Sequence, residues 1–232
     1  MKRLVQAVAL SSVFTFAFSL VSAQQEYTLK LNLKEGDTFK FKMSMDIDFG
    51  GTSVNASTTM TQKVVKVEEN GNIVMELSTT EMIVKFGDTE MPQPPQPPTR
   101  VTFKPNGDVA SSGAGNSPTS QIAGNSNYVF PDKPVKVGDK WSHTMKGQNG
   151  MPDLQGEFEL VGVEKLGETE VLRIKVSWRQ AEAKENAMSS EGFVLVDPAT
   201  GMAHRFEFKL KGIPIEGAPA PIDGSLKMER LP

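Results

Sequence analysis

The sequence predicts an all-β, antiparallel protein in which two sequence-similar halves form one large curved sheet, barrel or sandwich. Three observations carry this prediction. Apolar residues recur at every second position in several long windows. No window shows a comparable helical stripe, and the same short turn phrases recur in the same order in both halves.

The first strand follows Gly36-Asp37. There Phe39, Phe41, Met43, Met45 and Ile47 alternate with Thr38, Lys40, Lys42, Ser44 and Asp46, so odd positions face a core and even positions face water. Val64–Ser78 then holds two strands around Asn70-Gly71, the pair a type I′ hairpin favours because both central residues need positive φ. Met91–Arg100, with its repeated prolines, reads as an extended polyproline loop that serves as a spacer. Val101–Ala110 is a hairpin closed by Pro105 and Gly107. Ser111–Asn127 has almost no apolar content beyond Ile122 and reads as a flexible linker or exposed loop.

The second half repeats the scheme. Lys136–Trp141, KVGDKW, matches Lys34–Phe39, KEGDTF. Leu160–Ser177 matches Val64–Ser78, with Val-Glu ahead of a glycine turn in both, and Val194–Ala203 matches Val101–Ala110. Leu172, Ile174, Val176 and Trp178 form one apolar row. Met202, His204, Phe206, Phe208 and Leu210 form another, with Ala203, Arg205, Glu207 and Lys209 on the opposite face. Ala181–Gly192 is a polar connector, and Ile222–Leu231 reads as a final strand. The organisation is therefore residues 1–23 as a signal peptide, 24–112 as the first β half, 113–127 as a linker or loop and 128–232 as the second β half.

The amino terminus reads as an export signal. Lys2 and Arg3 precede the apolar Leu4–Val21, and Val21-Ser22-Ala23 offers small residues to a signal peptidase. Cleavage there leaves an exported, soluble chain, periplasmic or secreted, with no transmembrane segment. The 232 residues contain no cysteine, which excludes thiol chemistry, disulfides, cysteine-held metals and a lipid anchor on cysteine. A net charge of −3 with scattered basic residues gives no footprint for nucleic acid.

The phrases YTLKLNLKEGDTFKFKM, FPDKPVKVGDKWSHTM and GFVLVDPATGMAHRFEF together resemble a domain-of-unknown-function family of exported bacterial proteins. That resemblance spans Tyr27–Leu210 and rests on turns and core positions, so it implies a fold and lends no catalytic residue. There is also a distant architectural similarity to the half-barrel lipoprotein carriers of the bacterial envelope, which bury acyl chains against a concave apolar sheet.

Catalytic signatures are absent from the sequence. It has neither a Gly-x-Ser-x-Gly elbow nor a His-Glu-x-x-His motif, and Asp46 and Asp48 lie on the polar face of their strand. A non-catalytic envelope protein is expected, without a cofactor. Its partner would be a lipid or other apolar small molecule, with Phe41, Met43, Trp178 and Phe206 lining the curved sheet. The alternative is a structural or interaction module for another envelope protein. A lesser alternative is Cu(I) held by thioether and imidazole groups at His143, Met145, Met202 and His204. The plainer reading of these four is core packing, where methionine fills irregular gaps.

Overall fold

The computed structural model describes residues 25–49, 51–113, 128–147, 153–182, 187–213 and 221–232. The leader and nearly all of the 113–127 linker lie outside the described residues. Thirteen strands follow in chain order: β1 (Thr38–Phe49), β2 (Thr52–Val67), β3 (Ile73–Thr79), β4 (Met82–Phe86), β5 (Thr89–Gln93), β6 (Thr99–Phe103), β7 (Val109–Ser112), β8 (Lys140–Met145), β9 (Leu154–Leu166), β10 (Thr169–Gln180), β11 (Ser189–Val196), β12 (Ala203–Ile213) and β13 (Ile222–Arg230). There is no helix among the described residues.

All the strands belong to one antiparallel sheet, ordered β7-β6-β3-β2-β1-β13-β12-β11-β10-β9-β8. The strands β8 to β13 form a meander, whereas the first half runs β1-β2-β3 and then β6-β7, and β13 joins the halves by pairing with β12 on one side and β1 on the other. The hairpin β4–β5 lies off this path. It pairs through β4 with Val54–Ser57 of β2, beyond the stretch of β2 that pairs with β3.

The sheet is open, yet its ends approach each other. Although β7 and β8 are opposite termini of the strand order, His143 Nε2 on β8 lies 3.4 Å from Asp108 Oδ1, just before β7. Only a strongly curled sheet brings those residues together. The gap beside this contact is occupied by Tyr128–Pro131: Phe130 N–H donates to Asn106 O, and Trp141 Nε1–H donates to Val129 O at 2.6 Å.

One end of the curled sheet is capped. Tyr27, Leu29, Leu31 and Leu33 are buried while Lys30, Asn32 and Lys34 are exposed, the period-two pattern of an extended segment. This segment bonds to the Pro-x-Gly turns of both halves, through Leu31 N–H to Pro105 O and Asn32 N–H to Thr200 O. Tyr128, Val129, Phe130 and Val135 are buried at the same end. Each such side chain taken from water contributes roughly 1.5–3 kcal/mol.

The two Gly-Asp turns are bonded alike. Gly36 N–H donates to Val64 O, and Val64 N–H donates to Asp37 O; Gly138 and Asp139 make the same pair of bonds with Leu160. In each turn the aspartate side chain accepts from the backbone N–H three residues earlier, at Lys34 and at Lys136. Both glycines have positive φ, 91° and 96°, which a side chain would strain.

Three local expectations are corrected. At Asn70-Gly71, Gly71 N–H returns to Glu68 O and Glu68 N–H donates to Asn72 O, so the loop has three residues and is not the two-residue type I′ turn. Gly71, at φ 84°, supplies the positive φ that such a loop needs. Within the proline-rich Met91–Arg100, Met91–Gln93 belongs to β5 and Thr99–Arg100 to β6. Pro92 is tolerated because β5 is an edge strand. Finally, Ala203 is 1% exposed, in the core. The register slips between Leu195 and Val196, pairing Val196 with Ala203 and Leu195 with Arg205, so His204 is the extra residue of a bulge.

Candidate functional site

The inner face can be followed across the sheet through residue pairs, because directly opposed residues share a face. One row reads Trp141, Phe158, Val176, Gly192, Phe208, Leu226, Met45, Ala56, Val84 and Met91. Phe158, Val176, Phe208 and Leu226 are all buried. From Met45 onwards the row emerges. Met45, Ala56 and Val84 are half-buried, and Met91 is 42% exposed.

The next row behaves in the same way. It runs from His143 through Gly156, Trp178, Ser190, Leu210, Gly224 and Ile47 to Val54 and Phe86. Trp178 and Leu210 are buried, Ile47 and Val54 are half-buried, and Phe86 is 46% exposed. The inner face therefore continues as an apolar stripe from the core, over β1 and β2, onto the projecting β4–β5 hairpin. This stripe carries no charged side chain. Lys85 and Glu90 pair with each other on the opposite face of the hairpin.

Of the four residues expected to line a ligand, Phe41 and Phe206 are fully buried and Trp178 is nearly so. Met43 is half-buried, packed against the core at the start of the stripe. Gly156 accommodates Trp178, whose indole occupies the position a Cβ there would need. Trp178 also meets Phe158 edge-on at 5.5 Å and His143 at 6.5 Å. Val84, Phe86 and Met91 were not singled out from sequence. The available signal was the alternation Met82, Val84, Phe86, which is short and adjoins the prolines.

The four residues considered for copper are divided between two places. His143 and Met145 share a face of β8, whereas Met202 and His204 lie at the start of β12, with β9, β10 and β11 between. His143 is directed to Asp108, which also receives Lys104 Nζ at 2.6 Å. His143 and Lys104 together hold the Asp108 carboxyl down at about 2. His204 Nε2 is buried with no hydrogen-bond partner among the described residues. Burial, assisted by Arg230, lowers the pKa of this imidazole against the opposing effect of Asp197. No group of three or more His, Cys, Asp or Glu side chains converges among the described residues.

At the seam, Asn106, Phe130, Lys133, Asp139, Trp141 and His143 line a shallow pocket of about 430 Å³. At the capped end, the buried Tyr128 hydroxyl donates to Gly201 O at 3.0 Å, and burial raises its pKa.

These features define a class: an all-β protein built on a single curled antiparallel sheet, capped at one end and apolar on its uncovered inner face at the other. No family model and no curated protein matches the chain. Among solved structures, a crystal structure of a DUF1329 family protein from Desulfovibrio piger is similar, at 10% identity and TM-score 0.27, covering 84% of this chain and 84% of that one.

Proposed function

We propose that this is an exported, non-catalytic protein that binds an apolar or amphipathic molecule on the uncovered part of its inner face. The observation that carries this reading is the uncharged stripe from Met43, Met45 and Ile47 to Val84, Phe86 and Met91, continuous with the core. Exposed apolar surface of this kind is costly to leave in water, and its rigid backing by paired strands suits a preformed site. Methionines at Met43, Met45, Met82 and Met91 let it fit chains of varying shape. Export is supported by Lys2, Arg3 and the small-residue site at Val21-Ser22-Ala23. Among the described residues no helix is long and apolar enough to cross a membrane.

The test is native mass spectrometry of the processed protein, purified from its own host, before and after organic extraction. An added mass that extraction removes is expected. A second reading, an interaction module, is favoured by β8 being an edge strand whose backbone among the described residues pairs with no strand but β9. An empty protein that binds no fluorescent fatty acid would sink the carrier reading, and a stoichiometric protein partner on that edge would replace it.

A further inference from the structure

The chain has 12 methionines, of which Met1 and Met151 lie outside the described residues. The others fall into two groups. Met60, Met75, Met188, Met202 and Met228 are buried at 0–6% exposure. Met43, Met45, Met82, Met91 and Met145 are accessible. Of these, Met145 is on β8, and the other four all lie on the apolar stripe. Met45 and Met91 share a row through Ala56 and Val84, Met43 is two residues from Met45 on the same face, and Met82 is two residues from Val84. No accessible methionine among the described residues lies on the outer face of β1, β2, β4 or β5.

We propose that these four thioethers are an oxidation site that switches the stripe from apolar to polar. This deepens the carrier reading and rests on it. A two-electron oxidant of the peroxide or hypochlorous acid class transfers one oxygen atom to sulfur. The thioether becomes a sulfoxide, and the oxidant is reduced to water or to chloride and a proton. No bond of the chain breaks, and sulfoxide reduction restores the original group. A sulfoxide is polar and accepts hydrogen bonds, so four of them on a surface without charges would disfavour a hydrocarbon chain there. The buried methionines are shielded by the core, so the modification spares the fold. The absence of cysteine leaves the accessible thioethers as the reactive sulfur of the described chain.

The experiment treats the purified full-length processed protein with limiting hydrogen peroxide, follows each methionine by peptide mass spectrometry, and titrates a fluorescent fatty acid. Oxidation at Met43, Met45, Met82 and Met91 should precede oxidation at Met60, Met75, Met202 and Met228. Probe affinity should fall roughly tenfold or more and return with methionine sulfoxide reductase. The quadruple variant M43L/M45L/M82L/M91L, measured against its own untreated affinity, should show no peroxide-dependent fall. Undiminished binding with all four residues oxidised would overturn the proposal, as would peroxide loss persisting in the leucine variant. Failure of the untreated protein to bind the probe would instead count against the carrier reading itself.

Discussion

His143 Nε2 and Asp108 Oδ1 stand 3.4 Å apart, although their strands terminate opposite ends of the sheet. Their contact clasps the seam of an otherwise open barrel. Both side chains are largely shielded from solvent, at 24% and 15% exposure. The Asp108 carboxyl is held at about 2 against an ordinary 3.8, first by His143. Its contribution is fully present above pH 4 and is lost as pH falls through 2.

Asp108→Asn should therefore destabilise the protein at neutral pH by about 2 kcal/mol. It should also flatten the loss of stability between the ordinary carboxylate range and pH 2. Urea unfolding of D108N, H143Q and the double variant measures the clasp. A coupling of about 0.5–1 kcal/mol is expected, and strict additivity would show that the two side chains are neighbours without interaction.

His204 loses stability in the same direction, on acidification, but at higher pH and from a different cause. Its folded-state pKa is lowered from 6.5, principally by burial, so folding favours the neutral ring. The associated stability is present above the unfolded value and declines as pH drops below it. His204→Leu should remove that decline, measured as the slope of unfolding midpoint against pH between 7 and 5. An unchanged slope would show that His204 charges freely in the folded protein.

Gly156 supports Trp178 by having no side chain. A Cβ there would sit 2.8 Å from the indole and 3.0 Å from Phe158. Gly156→Ala should cost about 1–3 kcal/mol by overpacking and change the near-ultraviolet circular dichroism of the tryptophans. A neutral substitution would mean that the indole is free to move aside.

The Gly-Asp turns offer a matched pair. Asp37→Ala and Asp139→Ala each remove one side-chain acceptor from a backbone N–H. Each should cost about 1 kcal/mol, equally within error, in urea titrations. A large inequality would show that the two turns carry different loads despite their identical bonding.

Much of this architecture was legible along the chain. The alternation of Phe39 to Ile47 specified a half-buried strand, and Gly36 and Gly138 marked turns because only glycine takes their φ without strain. The candidate stripe was only partly visible. Met43 was chosen, but its companions Val84, Phe86 and Met91 sit on a hairpin whose prolines disguised it as a loop. The bulge at His204 was invisible, since a one-residue slip depends on what the partner strand offers.

By itself the sequence determined the strand class, the two Gly-Asp turns and the two faces of strands such as β1 and β10, because these follow from local sterics and a two-residue period. Only the tertiary structure decided which inner-face residues are covered. That depends on long-range pairing: β13 stitches β1 to β12, the Tyr27–Leu33 segment caps one end, and the seam brings Asp108 to His143. Identical alternation thus yields a filled core at Phe208 and an open surface at Met91.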